Sequence, residues 1–170
     1  MNLDLALKSA IGVLLGGLGF VLTGVMSQPE VRAGDRAPKF SVVTSDGRVV
    51  TRDDFGGKLL VLNFWATWCP PCVAEMPSLN EFHRQLRPSG VVVLAVSVDK
   101  NERAMREFVE RFGLQFEVAR DADASVPASF GTFKYPETYI IDSKGRVLEK
   151  LIAEQDWADP QLIARVKRYL

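Results

Sequence analysis

Residues 59–98 read LLVLNFWATWCPPCVAEMPSLNEFHRQLRPSGVVVLAVSV, and this stretch decides the fold. Its first seven residues are a nearly continuous apolar run, the pattern of a strand covered on both faces. From Pro70 the pattern becomes helical, with Val73, Met76, Leu79, Phe82 and Leu86 three or four apart through to Arg87. Pro77 falls inside that helix, where it removes one backbone bond to Val73 and should bend it. Pro88-Ser89-Gly90 ends the helix, and residues 91–98 form a second buried strand. A helix between two buried strands is a parallel crossover, so a βαβ unit is expected and the domain is α/β or α+β.

Elements of the same kind extend on both sides. Phe40-Ser41-Val42-Val43 and Arg48-Val49-Val50 flank Thr44-Ser45-Asp46-Gly47, an Asp-Gly hairpin signal that predicts a small antiparallel ribbon. Arg103 to Phe112 carries Met105, Phe108, Val109 and Phe112 at helical spacing and is closed by Gly113. Phe116 to Ala119 is a short strand. Thr138 to Asp142 and Arg146 to Leu151 bracket Ser143-Lys144-Gly145 as a second hairpin, and a final helix is expected from about Asp159 to Tyr169.

The chain has 170 residues, room for one ordinary domain and a short extra segment. Its 21 basic and 21 acidic side chains cancel and are interspersed, which argues against nucleic acid as a partner. Apolar residues concentrate at the start. From Leu5 to Met26 no charge follows Lys8, and this helix-length stretch, at ~1.5 Å per residue, matches the ~30 Å of a bilayer core. The expected organisation is a signal anchor over 1–27, a polar tether over 28–36 and a folded domain over 37–170. A cleavable signal peptide is the competing reading, since Val25-Met26-Ser27 offers a cutting site, although its apolar region usually spans only ~7–15 residues. The flanking charges do not orient the segment. Its place at the start of the chain suggests an N-terminus inside and the folded domain outside the cytoplasm, on a single-pass membrane protein.

The two cysteines of the chain lie three apart in Trp65-Ala66-Thr67-Trp68-Cys69-Pro70-Pro71-Cys72, at the join of strand and helix. A helix start presents unpaired N–H donors and a partial positive charge, which stabilise a thiolate. Cys69 is therefore the expected nucleophile. Cys72, one turn on, is expected to resolve the mixed disulfide that Cys69 forms. Pro70 and Pro71 suit the first helical positions and hold the turn, but they also withdraw two N–H donors from the thiolate. A zinc site lacks ligands, since the remaining candidate is His83, read as a surface residue of the same helix. A purely structural bridge gains little from so short a loop.

These residues resemble the thioredoxin superfamily, in particular its membrane-anchored TlpA, ResA and CcmG/DsbE-like branch. The resemblance runs from about Ala37 to the C-terminus and rests on Phe64 to Cys72, on Glu75-Met76-Pro77 and on Tyr135-Pro136-Glu137-Thr138-Tyr139-Ile140-Ile141-Asp142. It implies the α/β class and a thioredoxin-like fold: a mixed central sheet flanked by helices, an N-terminal β-hairpin and a TlpA-type central insertion over Arg103–Ala119. It implies that Pro136 is a cis-proline facing the cysteine pair, with Tyr135 offering backbone groups to an extended client, and that Trp68, Pro70 and Pro71 line the same surface. Asn63 stands where thioredoxin has a buried aspartate, and Glu75 resembles the ResA-type glutamate given that proton-transfer role, although a helical Glu also suits plain surface. Glu137 resembles the Pro-Glu-Thr of CcmG-like proteins and tilts the reading toward cytochrome c maturation, although ordinary rim polarity would also place it there.

The implied activity is thiol-disulfide exchange at Cys69 and Cys72, with no cofactor beyond that disulfide. The implied partners are client proteins with cysteines or disulfides, such as apocytochrome c, and a membrane thiol carrier of the DsbD/CcdA type. An oxidase or isomerase would use the same residues with the opposite poise. A peroxiredoxin would have threonine where Ala66 stands, and a copper-delivery protein of the Sco type would need Cys-x-x-x-Cys and a distant histidine.

Overall fold

In the computed structural model the described residues are 11–13, 16–17 and 30–170. The chain divides into two units, Met1–Glu30 and Val31–Leu170. The expected membrane segment lies outside the described residues apart from 11–13 and 16–17, which are helical. Among the described residues no helix is long and apolar enough to cross a membrane.

The second unit is built on a seven-stranded mixed sheet. Its strands are β1 (Ser41–Thr44), β2 (Val49–Thr51), β3 (Leu59–Trp65), β4 (Val91–Ser97), β5 (Glu117–Arg120), β6 (Glu137–Ile141) and β7 (Val147–Ile152). Their order across the sheet is β2-β1-β5-β4-β3-β6-β7. The apolar run of β3 is buried at every residue because strands flank it on both sides and both its faces are covered. It runs parallel to β4, with Leu59 opposite Val91 and Trp65 opposite Ser97, and antiparallel to β6. Helix α1 (Pro70–Leu86) connects the parallel pair, as the hydrophobic spacing predicts. Helix α2 (Glu102–Phe112) then leads to β5, which pairs parallel with β4 and antiparallel with β1. The resemblance-based insertion is thus the part that joins the N-terminal hairpin to the main sheet.

Alternation along β3 sends its residues to two different cores. Leu59, Val61 and Trp65 face the layer of α1, α2 and the last helix, α4 (Pro160–Lys167), together with Met76, Leu79, Phe82, Met105, Trp157 and Leu162. Leu60, Leu62 and Phe64 face the opposite layer with Phe40, Phe55, Phe130 and Tyr139. That second layer includes α3 (Ser125–Ser129), a short turn of helix that no periodicity in the sequence signals. It is held by Asp121, whose Oδ2 accepts from Val126 N–H at 2.7 Å. Val31 and Ala37 are buried, and Val31 N–H and Ala37 N–H donate to the carbonyls of Phe130 and Gly145, so the chain packs on this unit from Val31 onward.

His83 is not a surface residue. It is buried, 7% exposed, with its ring edge-on to Phe116 at 6.1 Å between centroids. The cause is the connection from α2 to β5, which Asn80 straps across the flank of α1: its Nδ2 donates to Gly113 O at 3.1 Å and its Oδ1 accepts from Gln115 N–H at 2.8 Å.

Candidate functional site

The site begins where β3 stops. Cys69 has extended backbone angles and caps α1, Pro70 and Pro71 occupy the first helical positions, and Cys72 N–H points back at Cys69 Sγ from 3.4 Å. The prolines therefore remove two donors but leave one. Cys69 and Cys72 are joined in a disulfide with their Cα atoms 5.3 Å apart. Cys69 retains 5% exposure and Cys72 none, so a client sulfur reaches the pair from the Cys69 side.

The loop before Cys69 is anchored by Asp99, a residue the sequence did not single out. Asp99 is buried, and its carboxylate accepts from Thr67 N–H at 2.9 Å, Thr67 Oγ1 at 2.7 Å and Ser97 Oγ at 2.6 Å. It sits just past the end of β4, a place that sequence spacing does not connect to residue 67 but parallel pairing does.

The Tyr135–Pro136 peptide is cis, and it brings the Tyr135 carbonyl oxygen to 3.6 Å from Cys69 Sγ. Trp68 is 64% exposed, with its ring edge-on to Tyr135 at 6.2 Å, so an aromatic rim stands beside the accessible sulfur. Burial pushes the Tyr135 phenol above its ordinary value, aided by the charges of Asp121 and Glu137.

Glu137 is not rim polarity. It is 6% exposed, and its Oε1 accepts from Thr132 Oγ1 at 2.6 Å and Tyr139 OH at 2.5 Å while pairing with Lys150 Nζ at 3.1 Å. Being first in β6, it points into the layer opposite α1 and ties both ends of the 132–136 loop to the sheet. Burial, then donation to Glu137, pushes the Tyr139 phenol up to about 12.

Glu75 is also buried, only 2% exposed, although a helical glutamate is usually solvated. Three donors hold it: Asn63 Nδ2 at 2.8 Å on Oε1, and Gln155 N–H at 3.0 Å and Trp157 Nε1 at 3.2 Å on Oε2. Burial raises its proton affinity more than the three donors lower it, and Glu154 adds to the rise. Asn63 Nδ2 also donates to Thr138 Oγ1 at 2.9 Å. Gln155 and Trp157 lie in the irregular segment after β7, which carries no motif; only the closed chain brings them under α1. The same segment binds the cis-proline, because Ala153 N–H donates to Pro136 O at 3.1 Å. Among the described residues no group of three or more His, Cys, Asp or Glu side chains could hold a metal.

What this arrangement can do is exchange disulfides: one sulfur sits at a helix start near the surface, its partner is enclosed one turn on, and a carboxyl that can take a proton follows three residues later. Comparison with known proteins agrees. The model of the AhpC/TSA family matches residues 33–150. The thiol-disulfide oxidoreductase ResA of Bacillus thuringiensis (strain Al Hakam) is 37% identical over 145 residues, 84% of each chain. Among solved structures, the Chlorobium tepidum protein described as the thiol:disulfide interchange protein DsbE superposes with a TM-score of 0.71 at 28% identity, covering 82% of this chain and 95% of the other. The dsbF of MTB, solved in mixed oxidised and reduced forms, does so with a TM-score of 0.69 at 30% identity, covering 77% and 95%. The fold is thioredoxin-like, the enzyme is a thiol-disulfide oxidoreductase, and the chain belongs to the AhpC/TSA family.

Proposed function

We propose that this oxidoreductase works as a reductant of client disulfides outside the cytoplasm, held at the membrane by residues 5–26. The observation that carries the reading is the asymmetry of the pair: Cys69 caps the helix beside the cis-proline, while Cys72 is fully enclosed and is followed three residues later by the buried carboxyl of Glu75. The Cys69 thiolate attacks a client disulfide, forming a mixed disulfide and releasing one client thiolate. Cys72 gives its proton to Glu75 and attacks Cys69 Sγ, releasing the second client sulfur as a thiolate. Two electrons pass to the client, its thiolates take protons from water, and the Cys69–Cys72 disulfide is left.

The similarity to ResA and DsbE supports clients such as apocytochrome c, whose haem-attachment cysteines must be reduced, and a membrane thiol carrier of the DsbD/CcdA type as the source of electrons. An enzyme that must stay reduced in an oxidising compartment needs such a supply.

Two measurements test this. In the native membrane, Cys72→Ser is expected to accumulate mixed disulfides through Cys69, and Cys69→Ser to accumulate none; adducts on Cys72 would reverse the roles. Equilibration of the full chain with glutathione or dithiothreitol is expected to give a reducing potential. A value near the roughly −120 mV of DsbA would make it an oxidase instead.

A further inference from the structure

The hydrogen bonds of Glu75 leave one question open: where a proton on this carboxyl would point. All three of its partners are donors. The backbone N–H of Gln155 and the indole N–H of Trp157 cannot become acceptors. A proton on Oε1 would face the Nδ2 hydrogens of Asn63, donor against donor. Asn63 is the one partner that can change sign, because its two amide ends have nearly the same shape.

Two further observations bear on this. Asn63 Oδ1 is buried and has no hydrogen-bond partner among the described residues, so no acceptor bond holds the amide in its present orientation. The second contact of Nδ2 is Thr138 Oγ1, a hydroxyl, which donates as readily as it accepts. If the amide turns by half a rotation, Oδ1 takes the place of Nδ2 and can accept from a protonated Glu75 and from Thr138 together. One unpaired amide atom remains on the far side in either orientation.

We propose that the Asn63 amide turns over when Glu75 takes up its proton, so that Asn63, backed by Thr138, is a positioning residue that keeps the Glu75 carboxyl hydrogen-bonded in both of its protonation states. The proposal deepens the reading of Glu75 as proton acceptor for Cys72 and rests on it. The groups around the carboxyl suit such a device. On α1 the titratable neighbour is Cys72, three residues back, and the segment after β7 contributes Glu154, which lines the same surface cleft as Glu75 along with Asp156. On this face β3 and β6 present the neutral Asn63 and Thr138, and Glu137 points to the other side of the sheet. An aspartate at position 63 would set a second charge against Glu75, and a leucine could pair with neither form.

The test uses the full chain, reduced, with 15N in asparagine and 13C in glutamate, followed by NMR across the Glu75 carboxyl titration. The through-hydrogen-bond coupling between Asn63 15Nδ2 and Glu75 13Cδ is expected above the Glu75 midpoint and lost below it. The cross-peaks from the Asn63 amide protons to the Thr138 methyl should fall with the same midpoint. In Glu75→Gln the new carbonyl accepts from Gln155 and Trp157 and the new NH2 faces Asn63, so Asn63 should stay turned at every pH. A coupling that persists through the titration, or an Asn63 amide that does not turn in Glu75→Gln, overturns the proposal. If Asn63 turns as expected but Glu75→Gln leaves the titration of Cys72 unchanged, the switch stands and the proton-acceptor reading fails.

Discussion

The side chains of Lys150 and Glu137 are 10% and 7% exposed, a buried ion pair with two hydroxyls completing the coordination of one carboxylate oxygen. Such a pair costs more to break than it contributes when made, because the surviving partner is left as an uncompensated buried charge. Lys150→Met is therefore expected to destabilise the fold by about 3 kcal/mol in urea unfolding. Adding Glu137→Gln should restore most of that loss, since the charge then disappears as well. Asp99 poses the same kind of problem on the other side of the site. Asp99→Ala leaves Thr67 N–H, Thr67 Oγ1 and Ser97 Oγ without their acceptor, and should cost at least ~2 kcal/mol. Because Thr67 sits two residues before Cys69, the rate of Cys69 alkylation in the reduced protein should change too, which a loss of stability alone would not produce.

At the level of elements, α1 joins the sheet to the chemistry. Its start is set by Cys69 and two prolines, and its buried side by Met76, Leu79, Phe82 and Leu86, so the residues that react and the residues that anchor belong to one rigid body. The neighbouring helix α2 stops at Gly113, whose φ of 58° and ψ of 43° lie in the left-handed region. A Cβ there meets nothing within 4 Å, so Gly113→Ala should cost only the backbone penalty, about 1 kcal/mol, in thermal or urea unfolding. The thiol titrations should be unchanged, because the hydrogen bonds of this cap go to Glu110, Val109 and Asn80 and not to Cys69, Cys72 or Glu75. Pro77 interrupts the bonding of α1 without ending it: the helix runs on to Leu86 because its apolar stripe is buried on both sides of the proline.

For the whole molecule, two buried titratable groups shape stability against pH in opposite senses. The Glu75 carboxyl is raised chiefly by burial, so the folded chain holds that proton more tightly than the unfolded one. Its contribution is present below the unfolded value and is lost as pH rises through the folded value. His83 is lowered chiefly by burial and next by Arg87, so its contribution is present above the unfolded value and is lost as pH falls through the folded one. Melting temperatures should show Glu75→Gln gaining on the parent as pH rises, and His83→Phe flattening the acid side below about pH 6.5. Apart from α3, the order of elements, the parallel crossover from Leu59 to Val98 and the placement of Cys69 and Cys72 at a helix start were readable from periodicity and spacing, because those properties depend on neighbours a few residues apart. The burial of His83, Glu75 and Glu137 was not readable, since each is covered by a segment distant in the chain: the α2–β5 connection, the stretch around Gln155 and Trp157, and Lys150 on β7. Asp99 and Gln155 carry no motif, and Thr138, although it lies within the Tyr135–Asp142 motif, shows its contact with Asn63 only when the strands close in register. The cysteine pair at the helix start and the framework that holds it follow from the sequence alone, since a short-range pattern sets both. Which polar side chains surround that pair follows from the folded chain, because burial and hydrogen bonding between distant residues exist only once it has closed on itself.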